Sequence, residues 1–123
     1  MSKPSEPLID GAPVRRFKNP NYKNVGSNLA ELRQKIDLID SQIIELLAER
    51  ALCVQDATRF KKDAFQVAAP ARQAQVFERV KSQAEAHLEN FPNFPEIVET
   101  TYRTLVAGFI ASEQLLFQKT EII

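Results

Sequence analysis

The chain has 123 residues, 44% of them hydrophobic and 26% charged, a balance that suits one soluble domain. Lysine plus arginine equals aspartate plus glutamate at 16 each, so no field of one sign attracts a nucleic acid or an anionic membrane. One cysteine (Cys53) and one histidine (His87) rule out a disulfide, a zinc site and a Ser-His-Asp triad with a histidine to spare. Chemistry therefore falls to arginines, lysines, carboxylates and amides, and no metal or cofactor is expected. No apolar run has the length of a signal peptide core or a membrane span, so the expected location is the cytoplasm.

Residues 1–27 hold four of the seven prolines and two of the three glycines. Lys3, Arg15, Arg16, Lys18 and Lys23 outnumber Glu6 and Asp10 there. This composition reads as a flexible basic tail, either a solvated leader or a segment that touches a partner. From Ser27 the character changes, with no proline or glycine before Pro70. Asn28 with Glu31 forms a capping-box pattern that starts a helix at Leu29. Leu29, Leu32, Ile36, Ile39, Ile43 and Leu46 then follow at alternating steps of three and four, the seam of an amphipathic helix expected to reach about Ala64.

A helix of about 36 residues is about 54 Å long, whereas a domain of about 100 residues has a radius of gyration near 13 Å. Two further helices are expected, over about 70–90 with Pro70 in the first turn and about 95–119 with Pro95 in the first turn. They are too short to cover such a rod, so a second copy of the chain is expected to do so. The expectation is an all-α fold, three helices per chain in an intertwined homodimer, with a helical domain over 28–119 and a C-terminal end over 120–123.

The seam of the first helix carries cations where apolar residues belong. The step of seven from Leu29 through Ile36 and Ile43 lands on Arg50, and the path through Val54 and Ala57 lands on Lys61. A buried cation needs an anionic partner. Either Arg50 pairs with a neighbour's Glu45 or Glu49 while Lys61 reaches out to water, or both converge on a small anion. On one straight helix the two lie about 20° apart in azimuth and about 16 Å apart along the axis. Arg33 lies about 25 Å before Arg50 on the same helix, so it shares a small ligand only with the Arg50 and Lys61 of a second, crossed protomer. Arg72, in the first turn of the second helix, opposes the helix dipole unless a ligand anion, Glu78 or solvent compensates.

On the third helix Val98, Tyr102, Leu105, Val106, Phe109 and Ile110 form a stripe whose next step reaches Glu113, beside Gln114. A carboxyl group on an apolar face favours its neutral form and then donates a hydrogen bond as an amide does. His87 reads as a surface residue and Cys53 as a small core filler.

The run LAELRQKIDLIDSQIIELLAER, then RFK, PARQ and YRTLVAGFIASEQ, resembles the all-helical chorismate mutases and the related isochorismate pyruvate-lyases over about residues 29–118. The resemblance implies an intertwined dimer with two sites, each bounded by three helices of one chain and an arginine of the other. Matched by motif, Arg33 is the donated arginine, Arg50 and Arg72 hold the carboxylates of a dicarboxylate substrate, and Lys61 contacts a carboxylate or the ether oxygen. The implied reaction is the pericyclic rearrangement of chorismate to prephenate, with no covalent intermediate. The chain departs from the family pattern at four places. Ala69 stands in place of an acidic residue, Gln73 in place of a substrate-binding glutamate, and Phe109 in place of a small polar residue. Glu113 stands where a glutamine contacts the ether oxygen, a role Gln114 takes if the register shifts by one. RFK and FIA resemble the lyase branch. The alternatives are thus salicylate and pyruvate formation from isochorismate, a mutase for an amino-substituted chorismate, and a non-catalytic helical dimerisation module.

Overall fold

The computed structural model describes residues 3–123, so the first two residues of the expected tail lie outside the described residues. Four α-helices follow one another: α1 Leu29–Ala57, α2 Ala64–Ala68, α3 Pro70–Glu85 and α4 Phe94–Phe117. Single 3₁₀ turns lie at Thr58–Phe60 and Leu88–Asn90. No strand occurs among the described residues, as the all-α expectation requires. The chain divides into two compact units, one ending at Ala48 and the other Glu49–Ile123.

In the first unit the capping pattern at the start of α1 is realised. Asn28 Oδ1 accepts from the Glu31 backbone N–H at 2.9 Å, and Glu31 Oε2 accepts from the Ser27 N–H at 3.2 Å. Among the described residues the preceding segment has no regular secondary structure, yet it is tied to the helix. Ala30 N–H donates to the Ile9 carbonyl at 2.8 Å, and Lys35 Nζ donates to the Val25 carbonyl. The rings of Phe17 and Tyr22 pack with centroids 4.5 Å apart. Gly26 lies so close to α1 that a Cβ there would come within 2.7 Å of Leu32 Cδ2. None of the residues of α1 is buried in the single chain. Its seam stays exposed, with Ile36 at 54%, Ile43 at 47% and Leu46 at 62% of full accessibility.

The second unit holds the core. α3 and α2 pack against α4, and Val67, Val76, Val80, Ala84 and Val106 are buried among them. α3 ends at Glu85 rather than near residue 90, because the chain turns at His87, whose N–H donates to the Ala84 carbonyl at 2.9 Å. Asn93 then adopts a left-handed conformation, φ 61°, which asparagine tolerates, and Pro95 sits in the first turn of α4.

α1 stops at Ala57, seven residues before the expected Ala64. A second start signal, Asp63 with Gln66, competes with its continuation. Asp63 Oδ1 accepts from Gln66 N–H at 2.9 Å, and Gln66 Oε1 accepts from Lys62 N–H at 2.7 Å, a reciprocal cap that starts α2. Ala69 joins α2 to α3 at φ 43°, ψ 58°; its N–H closes the end of α2 on the Phe65 carbonyl and its carbonyl accepts from Gln73 N–H. Cys53, expected as core filler, is exposed instead, like the rest of the α1 residues, none of which is buried in the single chain. His87 is on the surface as expected, bonded to Asn90 and edge-on to Phe94.

Candidate functional site

Of the residues singled out by the sequence, Arg50, Lys61, Arg72, Gln73, Glu113 and Gln114 belong to the second unit, and Arg33 to the first, where it is exposed on α1. The strip Phe109–Gln114 of α4 brings several of them together. Arg50 is half-buried in the last turns of α1, with its guanidinium carbon 5.1 Å from the centre of the Phe109 ring. That contact stabilises a cation without consuming its N–H donors. Glu113 is buried, at 5% of full accessibility, and Thr58 Oγ1 donates to its Oε2 at 3.2 Å. Gln114 points elsewhere: its Nε2 donates to the Ala64 carbonyl at 2.9 Å and braces the start of α2. The two neighbours that the sequence left undecided are thus separated, the carboxyl buried and the amide engaged as a strut.

Lys61 follows the 3₁₀ turn in extended conformation, φ −104°, ψ 133°. The azimuth and rise drawn from one straight helix therefore do not apply to it, since α1 has ended four residues earlier. It is half-buried, and its Nζ donates to the Gln66 carbonyl at 2.9 Å. An ammonium has three N–H donors, so two remain for a ligand. Arg72 is exposed in the first turn of α3 and pairs with no carboxylate among the described residues, so of the three compensations left open Glu78 does not serve.

Gln73 stands apart from this group, on the wall of a cleft of about 580 Å³ between α3 and α4, with Pro70, Phe77, Arg103, Val106 and Ile110. A second hollow of about 410 Å³ is lined by Leu52, Gln55, Asp56, Thr58, Arg59 and Leu116. Neither is lined by Arg50, Lys61, Arg72 or Glu113. Across the rim of the larger cleft Glu99 binds both Arg103, at 3.0 Å, and Lys81, at 3.4 Å. The hydrogen bond from Arg103, then that from Lys81, holds the Glu99 carboxyl below its ordinary value of 4.5.

Thr58 is the site residue that sequence reading missed. It is the only buried hydroxyl among the described residues, at 3% of full accessibility, and it lies four residues after Val54 on the seam already traced through Arg50. That position was the available signal. A threonine there reads as a small β-branched filler until the carboxyl it faces is known.

Comparison with known proteins bears on this arrangement. The family model described as chorismate mutase type II matches residues 32–114, more than half of the chain. The chain is 32% identical over 94 residues to a bifunctional chorismate mutase/prephenate dehydratase of Pseudomonas aeruginosa, an alignment covering 72% of this chain and 24% of that protein. It is 33% identical over 60 residues to a chorismate mutase of Methanocaldococcus jannaschii, covering 48% of this chain and 61% of that one. The chain thus spans less than two thirds of either relative.

Proposed function

We propose, from the premise that the chain belongs to the chorismate mutase type II family, that it rearranges chorismate to prephenate as a homodimer. One observation carries the reading. Arg50 and Lys61 are half-buried cations with no carboxylate partner among the described residues, Arg50 lying over Phe109 of the α4 strip that also bears the buried Glu113 and Lys61 bonded only to the Gln66 carbonyl. Cations left partly desolvated and unpaired in a single chain call for an anionic ligand.

The unpartnered seam of α1 supports the dimer. Ile36, Ile39, Ile43 and Leu46 are all about half exposed or more in one chain, and covering the exposed half of each stabilises by about 1 kcal/mol or more. A second copy presenting the same seam covers them and brings the partner subunit's Arg33 to the site. Arg50, Arg72 and the partner subunit's Arg33 then hold the two carboxylates, with Lys61 completing the binding groups. Fixed in this way, the enolpyruvyl arm lies over the ring in the reactive conformer, so most of the orientational entropy is lost on binding rather than at the transition state. Lys61 and Glu113 serve the ether oxygen, where negative charge develops as the C–O bond breaks. No proton is transferred and no covalent intermediate forms.

The test is to give the purified protein chorismate and isochorismate in turn, following prephenate and salicylate. Prephenate from chorismate is the expected product. Cleavage of isochorismate to salicylate and pyruvate, with chorismate left unchanged, overturns the mutase reading in favour of the lyase. Failure to turn over either substrate leaves a mutase for an amino-substituted chorismate or a helical dimerisation module.

A further inference from the structure

The Thr58 hydroxyl faces two acceptors at nearly equal distance, the Val54 carbonyl at 3.1 Å and Glu113 Oε2 at 3.2 Å. Both Thr58 and Glu113 are buried, at 3% and 5% of full accessibility, so water does not replace either contact. The two residues lie 55 positions apart in sequence and join the turn after α1 to α4. Among the described residues this is the one hydrogen bond to the Glu113 carboxyl, and no cation pairs with it.

A carboxyl group bonded through one oxygen loses the freedom to turn about its Cγ–Cδ bond, and a hydroxyl with two partners in reach is itself fixed in place. We infer that Thr58 is a positioning residue: its hydrogen bond to Glu113 Oε2 fixes the plane of the buried carboxyl group and leaves Oε1 for the substrate. The inference rests on the reading above that Glu113 serves the ether oxygen. The Val54 carbonyl holds the same hydroxyl in place along α1, so the donor is poised before the substrate arrives.

Thr58→Val preserves the shape of the side chain and removes the hydroxyl. It should lower kcat about five- to tenfold, the worth of one ordinary hydrogen bond, and leave KM within about twofold. Thr58→Ser, which keeps the hydroxyl, should restore most of the rate. In a Glu113→Ala background Thr58→Val should cause no further loss beyond about twofold, because the two residues act as one unit. Equal losses from Thr58→Val in the parent and in Glu113→Ala, or equal losses from Thr58→Ser and Thr58→Val, overturn the inference and leave Thr58 a packing residue. If Thr58→Val does not fold, Thr58→Ala against Thr58→Ser makes the same comparison. A Glu113→Ala protein with the parent's rate removes Glu113 from the chemistry and with it the role of Thr58. A drop in Glu113→Ala with none in Thr58→Val removes Thr58 alone.

Discussion

The unit ending at Ala48 and the unit from Glu49 onward treat their apolar residues in opposite ways. In the second, valines of α2, α3 and α4 meet and exclude water, Val67 being 1% exposed. In the first, the isoleucines and leucines of α1 are regularly spaced and belong to a well-capped helix, yet from Ile36 to Leu46 they stay about half exposed or more. The same hydrophobic effect acts on both, so the first is stabilised by local hydrogen bonds and the second by packing. An exposed apolar stripe at helical spacing marks a surface for interaction.

The sharpest break between the regions is chemical. Arg50→Ala or Lys61→Ala should lower kcat 10²- to 10³-fold or more, about 2.7–4 kcal/mol of transition-state stabilisation, read from steady-state rates with chorismate. Next comes assembly. Ile39→Asp with Ile43→Asp should convert the proposed dimer to monomer in analytical ultracentrifugation, costing roughly 1 kcal/mol or more for each isoleucine whose exposed half is no longer covered. A single dimeric species persisting in that variant would separate the seam from assembly. Stability should divide the same way: Val67→Ala, worth about 2 kcal/mol, should lower the melting temperature at every protein concentration. Ile43→Ala should lower it by an amount that depends on concentration, since association stabilises only the assembled form.

Smaller effects refine the contrast within the second unit. Ala69 holds a left-handed conformation, φ 43°, which costs a residue with a Cβ about 1–2 kcal/mol. Ala69→Gly should therefore stabilise by up to about 1 kcal/mol after glycine's added unfolded-state entropy is subtracted, read from urea denaturation. The smallest effect belongs to Glu99, whose carboxyl Arg103 and Lys81 hold below 4.5. A lowered value in the folded state means a contribution present above the unfolded value and lost as pH falls through the folded one. Glu99→Gln should accordingly narrow the stability difference between neutral and acid solution, and an unchanged difference would separate the Glu99 pairs from folding.

Much of this was legible in the sequence because it rests on local rules. The cap at Asn28 and Glu31, the first-turn prolines of α3 and α4, and the stripe leading to Glu113 all depend on residues within a few turns of one another. The end of α1 was not. Val54 and Ala57 continue the apolar spacing, so periodicity alone extends the helix, and only the Asp63 and Gln66 cap reveals that a new helix begins. Lys61 therefore lies on a link and not on the rod. The Thr58 contact with Glu113 was equally hidden, because no spacing rule relates positions on two helices brought together by tertiary packing.

The bond from Ala30 N–H to the Ile9 carbonyl has a practical consequence for anyone trimming this protein. Cutting just ahead of Ser27 would discard an acceptor that a helix terminus otherwise takes from solvent, and would also strip the Val25 carbonyl from Lys35. The shortened chain should fray at its leading turn, immediately before Arg33. A weaker grip on chorismate after such a truncation would then report lost order near that guanidinium, with no need for the leader to touch the substrate itself.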